Sequence, residues 1–339
     1  MARKLSRILL GVNDPPKKSL KRDVPKETPK EVSEEVPEQN SKEVSKETSK
    51  ETSKESVPKK PAKKSILDDA NAFIMDMEKV MKKPRAVGKD DKLKVGVDLG
   101  TSNIVIAVLD ENNKPVAGEL FSANVVRDGI VVEYLNAVTI LRKLKGKLEG
   151  TLNRELLYAA TAIPPGISTG NTKVIQNVVE AAEFQVSNVV DEPTAASEVL
   201  KIKNGAVVDV GGGTTGISIL QDGEVVYSAD EPTGGHHLSL VVAGALQMDY
   251  EAAEKYKVDM KNYNRVFTLV RPVVEKMADI VVQHIKGFNV NEIYLVGGTC
   301  CLKDIEKVFE KYTGIKTIKP HDPLLVTPMG IAMNDTKFS

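Results

Sequence analysis

Two short stretches of this chain place an acid, glycines and hydroxyl residues where an apolar run meets a turn. They are Val97-Asp98-Leu99-Gly100-Thr101-Ser102 and Val208-Asp209-Val210-Gly211-Gly212-Gly213-Thr214-Thr215. In both, a second apolar run follows at once, as in a hairpin of buried strands. Glycine lets the backbone approach a ligand closely, so that successive N–H groups converge on an anion. Thr214 and Thr215 add hydroxyl donors, and Asp98 and Asp209, each near a strand end, are placed to hold a hydrated cation. The chemistry this favours is the binding of a nucleotide phosphate with magnesium. One such turn alone reads equally well as a glycine-rich hairpin with an incidental aspartate. Two in register predict two similar lobes, each with an acid and a phosphate-facing turn.

Other residues could serve the same site. Glu192, in Asp191-Glu192-Pro193-Thr194-Ala195-Ala196, falls where a strand ends and a helix begins, the end of an open α/β sheet where chemistry collects. It reads equally as an acid favoured by the helix dipole. Gly297, Gly298 and Thr299 form a third glycine turn at a strand end, suited to a phosphate or sugar. Gly234 and Gly235 precede His236 and His237 at the start of a helix. Neighbouring helical side chains diverge, which argues against a metal on the two histidines.

The elements that must position these groups alternate between strand and helix, predicting an α/β fold with a mixed sheet. Strand patterns fall at 93–109 and 206–229 as hairpins, and at 125–133, with an Asp128-Gly129 turn, 156–163, 186–190 and 290–296. Helical spacing covers 137–152, 169–183, 233–246, 250–257, 264–286 and 301–312, and Pro328 opens a last helix within 323–334. Residues 65–83 also read as a helix, capped by Asp68 or Asp69, with Ala72, Phe73, Met77, Val80 and Met81 as its apolar stripe. Packing on the body is favoured for it over binding a partner. The expected organisation is an extension over 1–64, helix and linker over 65–91, lobe I over 92–204, lobe II over 205–322, and a connecting helix over 323–339 that returns to lobe I.

Composition narrows the classes. The 339 residues carry 47 Lys+Arg and 47 Asp+Glu. Residues 1–64 hold 17 basic and 11 acidic side chains, which leaves the body mildly acidic and unlike a nucleic-acid binder. The only cysteines, Cys300 and Cys301, are adjacent and offer no disulfide framework, so a reducing cytoplasm is expected. No apolar run is long enough for a transmembrane segment. Residues 13–64 are rich in Pro, Ser, Thr, Lys and Glu, with Ser-Lys-Glu units beginning at Ser41, Ser45, Ser49 and Ser53. So little apolar surface cannot offset chain entropy, and a disordered linker is expected there. Residues 1–12 have Leu5, Ile8 and Leu9 on one face of a short basic helix, and an alternative reading makes them an N-terminal peptide that docks a partner.

Five segments resemble, in order and spacing, the signature of the actin, Hsp70 and sugar-kinase superfamily: Asp98-Leu99-Gly100-Thr101, Asp191–Ala196, Asp209–Thr214, Val296–Thr299 and Thr327–Ala332. Within it, residues 125–132, 191–196 and 228–235 are similar to the EutJ family of Hsp70-like ethanolamine utilization proteins. The resemblance covers residues 93–335. It implies an actin-like ATPase fold, with two ribonuclease H-like lobes around a nucleotide cleft, and ATP with Mg2+ as cofactors. By motif, Asp98 and Asp209 would hold the magnesium shell, and Gly100, Thr101, Ser102, Gly211, Gly212, Gly213 and Thr214 the phosphates. Glu192 matches the glutamate that positions the attacking water in Hsp70-type ATPases. Gly297, Gly298 and Thr299 would face adenosine, and Gly234 and Gly235 would also bind the nucleotide. Ala253-Glu254-Lys255-Tyr256-Lys257 resembles the A-E-x-x-K helix of bacterial actins, which puts Glu254 and Lys257 near ribose and base. A chaperone-like accessory role follows, with enzymes or shell proteins of a bacterial microcompartment as partners.

The chain departs from the superfamily pattern in three places. The stretch between Leu109 and Ala160 is too short for the subdomain that Hsp70 and actin carry there, so the first lobe is shortened. No position matches the phosphate-contacting lysine of Hsp70, and His236-His237 replaces its glutamate-aspartate pair. Slow hydrolysis, or nucleotide sensing without turnover, is therefore expected. A filament-forming or scaffold protein gated by nucleotide stands as the alternative. A sugar or metabolite kinase is disfavoured, because the first lobe leaves little room for an acceptor loop.

Overall fold

The computed structural model describes residues 67–127 and 129–339. The helix expected over 1–12, the linker over 13–64, the first two residues of the 65–83 helix and Asp128 of the Asp128-Gly129 turn lie outside them.

Two five-stranded sheets repeat one plan. In the first, β1 (Leu93–Leu99), β2 (Asn103–Asp110) and β3 (Pro115–Ser122) make an antiparallel meander. A two-stranded piece, β4 (Val126–Arg127) with β5 (Ile130–Val131), stands apart from it. β6 (Tyr158–Ile163) and β7 (Gln185–Asp191) then add parallel strands on the far side of β1, giving the order β3-β2-β1-β6-β7. The second sheet runs β10 (Glu224–Glu231), β9 (Thr215–Gln221), β8 (Gly205–Val210), β11 (Glu292–Val296), β12 (Lys316–Ile318), with the same antiparallel-then-parallel sense. The register sets Asp98 opposite Val105 and Asp209 opposite Gly216, so each acid sits close to its hairpin turn. β8 is buried along its whole length, as a central strand covered on both faces must be.

Helices cover both faces of both sheets. α2 (Tyr134–Leu152) and α3 (Thr169–Ala181) close the outer face of the first, where Leu141, Leu148 and Val178 pack on Val95, Val97 and Ile104. On the second sheet, α5 (Gly235–Leu246), α7 (Tyr263–Ile285) and α8 (Ile305–Thr313) pack Val242, Val274 and Phe309 against Val208, Ile217 and Leu295. α6 (Tyr250–Val258) lies between α5 and α7 in sequence. A third core joins the sheets through α1 (Asp68–Lys82), α4 (Glu192–Leu200) and α9 (Pro323–Met333), where Ile74, Met77, Leu200 and Met329 meet Leu109 and Val207. α4 and α9 cross so closely that a Cβ on Gly330 would overlap the carbonyl of Ala195.

Several expectations change. α1 packs on the body through Ala70, Ile74 and Met77, with Phe73, Val80 and Met81 half-buried against the same core, while Ala72 points to solvent. Leu67 is its N-cap, with Asp68 and Asp69 in the first turn, where the helix dipole favours acids. β3 was hidden because Pro115 and Gly118 disfavour strands. As the first residue of an edge strand Pro115 loses no ladder bond, and Gly118 admits Met77 and Met81 of α1. α8 begins at Ile305 and not at Cys301, since a tight turn over Gly298–Cys301 and a left-handed Asp304 (φ 62°) intervene. α9 begins at Pro323, capped by Asp322, so Pro328 falls inside the helix.

Candidate functional site

The loop after β1, Gly100 to Ser102, and the loop after β8, Gly211 to Thr214, face each other across a cleft with about 250 Å³ of free volume. The second loop is pinned by its carbonyls. Gly211 O accepts from Gly235 N–H (3.0 Å) and Thr299 Oγ1 (2.7 Å), and Gly212 O accepts from His236 N–H (2.7 Å). Among the described residues no acceptor takes the N–H groups of Gly212, Gly213 and Thr214, nor those of Gly100, Thr101 and Ser102. Two runs of three consecutive donors thus remain for a ligand, the arrangement that binds phosphate oxygens. The loops nearly touch: a Cβ on Gly212 would collide with the hydroxyl of Ser102.

Three carboxylates converge beneath these donors. Asp98 lies one residue from the end of β1, Asp209 one residue from the end of β8, and Glu192 opens α4 at the end of β7. Burial, then the charge of Asp209, pushes Asp98 up to about 7. Burial raises Asp209 to about 6, against the pull of a 2.6 Å hydrogen bond donated by Thr327 Oγ1. Glu192 is pushed well above the carboxylate range by burial and by Asp209, Asp98, Asp230 and Asp191. None of the three acids pairs with a basic side chain among the described residues. Crowded, unpaired acids fit a divalent cation, which would relieve both their desolvation and their repulsion. No three His, Cys, Asp or Glu side chains among the described residues stand close enough to ligate a metal directly. The acids therefore suit magnesium held through its waters.

At the other end of the cleft Lys257 Nζ reaches Glu254 Oε1 (2.7 Å), Ser239 Oγ (2.8 Å) and Gly235 O (3.2 Å), and Ser239 also bonds Glu254. Val258, Met260, Tyr263 and Leu302 give this end apolar walls for a planar ring. Gly297, at φ 88°, lies so near Asp209 that any side chain would strike its carboxylate.

Nearly every residue singled out from the sequence lines this cleft. Gly234 does not. It is the N-cap of α5, packed on the backbone of Gly212 and Gly213. Nor does Thr215, whose buried hydroxyl donates to Thr233 O at 2.6 Å. His237 Nδ1 accepts from Gly234 N–H (3.3 Å) and the His236 ring lies against Tyr250, so the histidines serve the α5 turn. Thr327, Tyr263, Met260 and Lys303 also line the cleft and were missed. The apolar residues that follow the A-E-x-x-K match were a usable signal for Met260; Thr327 opens a segment of the superfamily pattern, but nothing local marked its hydroxyl as reaching the cleft.

Comparison with known proteins decides the family. The chain is 44% identical over 244 residues to the ethanolamine utilization protein EutJ of Salmonella typhimurium, spanning 72% of this chain and 86% of that relative. The chain belongs to the EutJ family. The crystal structure of EutJ from Carboxydothermus hydrogenoformans superposes with a TM-score of 0.75 at 42% identity, covering 79% of this chain and 99% of that one. MreB5 of Spiroplasma citri bound to ADP shares the fold at 17% identity, with a TM-score of 0.56 over 70% of this chain and 94% of that one. The profile of type IV pilus assembly protein PilM matches residues 169–324. This EutJ-family chain has the actin-like ATPase fold. Among its described residues no helix is long and apolar enough to cross a membrane.

Proposed function

We propose that this EutJ-family protein binds ATP with magnesium between its lobes and hydrolyses it slowly, as a chaperone-like accessory protein of ethanolamine utilization. The observation that carries the reading is the pairing of two unengaged amide cradles with three converging acids that have no basic partner among the described residues. Bound magnesium would neutralise charge on the terminal phosphates. The chain's own groups do the rest. Amides of the two loops hold phosphate oxygens, Asp98 and Asp209 order the cation's waters, and Glu192 orients the water that attacks the γ-phosphate. The Glu254–Lys257 pair faces the ribose, and the apolar walls take the base. The cytoplasm is the expected place of work, with ethanolamine-utilization enzymes or microcompartment proteins as partners.

A second reading keeps the cleft and drops turnover, leaving a nucleotide-gated switch or scaffold. One observation favours it: among the described residues the lysines on the cleft wall, Lys257 and Lys303, both come from the second lobe, and none comes from the first. Single-turnover hydrolysis beside direct ATP binding, for wild type and Glu192→Ala, separates the two. Loss of turnover with binding intact supports the ATPase. Tight binding without turnover in either protein supports the switch, and no binding in either overturns both.

A further inference from the structure

Thr327 differs from five other helical threonines of this protein. Thr139, Thr151, Thr172, Thr268 and Thr313 each donate to the carbonyl four residues back, at 2.7 to 3.2 Å. That is the ordinary habit of threonine in a helix. Thr327 would by that habit bond Pro323 O, but this carbonyl already accepts from Gly297 N–H at 2.9 Å. Its hydroxyl turns instead to Asp209 Oδ2 at 2.6 Å, with Thr327 3% and Asp209 6% exposed. The other oxygen, Oδ1, lies beside Gly297 at the cleft wall.

α9 holds this hydroxyl from both sides. Before it, the Pro323–Gly297 bond fastens the helix to the second lobe. After it, Pro328 and Ala332 pack over Gly96 of β1, Gly330 wedges against Ala195, and Asp335 accepts from Val95 N–H at 2.9 Å. A β-branched side chain on so fixed a backbone has little rotamer freedom left. The donor is set in place before any ligand arrives.

We propose that Thr327 is a positioning residue for the cation site: by occupying Asp209 Oδ2 it fixes the carboxylate with Oδ1 free for the magnesium water shell. This rests on the reading of the cleft as a magnesium–nucleotide site. Thr327→Val keeps the shape and removes the donor. Thr327→Ser keeps the donor and removes a methyl group.

The test is ATP binding by calorimetry on the full chain at stepped MgCl2 concentrations and in EDTA, with melting curves of each ligand-free variant. Losing a hydrogen bond to a charged group should raise the magnesium concentration needed for half-maximal binding about tenfold or more in the Val variant. Ser should stay near wild type, and binding in EDTA should be alike in all three. A wild-type magnesium midpoint in Thr327→Val overturns the inference, and so do equal shifts in Val and Ser, or a loss that is the same with and without magnesium. Should the Val variant fail to fold, Thr327→Ala read against Thr327→Ser makes the same comparison. Absence of magnesium-dependent ATP binding in wild type removes the nucleotide reading and takes this inference with it. A shift confined to the variants leaves that reading standing.

Discussion

The two lobes use one grammar for different ends, most visibly in their connecting helices. Each sheet closes on a strand that runs through an acid and a proline into a helix: Asp191-Glu192-Pro193 into α4, and His321-Asp322-Pro323 into α9. In the second case the acid caps its own helix, Asp322 accepting from Leu324 N–H at 3.1 Å. In the first, Glu192 is the opening residue of α4 and faces the other acids of the cleft. Four residues past each proline the roles reverse. Ser197 bonds back to Thr194 O within α4, whereas Thr327 reaches out of α9 to Asp209. An acid or hydroxyl engaged by its own helix is structural, and one released from its helix is available to a ligand.

Breaking that comparison at its strongest point gives the largest effect. Asp209→Ala should abolish magnesium-dependent ATP binding, a loss of about 100-fold or more for a group at the centre of the charge cluster. An unchanged affinity in calorimetry would remove Asp209 from the site. Next is the crossing where the two connecting helices meet. Gly330→Val forces a side chain into Ala195 and should cost about 3 kcal/mol in urea unfolding. A variant within error of wild type would mean that α4 and α9 are less tightly pressed than they look.

The third way concerns pH. Asp98 at about 7 and Asp209 at about 6 both lie above their ordinary 3.8. A raised acid keeps its proton longer in the folded state than in the unfolded one. Its stabilising contribution is full below about pH 4 and is lost as pH climbs through about 6 to 7. The ligand-free protein should melt several degrees lower near pH 8 than near pH 5, and Asp98→Asn should flatten that fall. Equal slopes in both proteins would clear Asp98 of the effect. The mildest change is Asp322→Ala, which should cost about 1 kcal/mol, the worth of a cap, and leave ATP affinity alone. A drop in affinity there would erase the distinction between the two acids.

What could be read from the sequence was local. Asp-x-Gly-Thr followed by an apolar run states its own hairpin, and the repeat of that pattern exposed the paired sheets before any contact was known. The A-E-x-x-K helix likewise kept its pair within one turn, as Glu254 and Lys257 show at 2.7 Å. What escaped depends on distant partners. Gly118 sits in a strand that pairs with β2 and lies under Met77 and Met81 of α1. Pro328 sits inside a helix because Asp322 and Pro323 supply a better start. The partner of Thr327 lies 118 residues away, and no spacing rule reaches that far.

The last residues described also bear on how the chain comes to be folded. Asp335 closes on Val95, 240 residues away, and Ser339 exchanges backbone hydrogen bonds with Leu93. β1 is therefore not fully covered until α9 and the residues after it have been synthesised. Contacts of such long range slow folding, because the loop they close must be ordered before they contribute. On the ribosome the second sheet can complete its own strands while the first still waits for its cover. The cover of β1 in a nascent chain waits until α9, Asp335 and Ser339 have emerged.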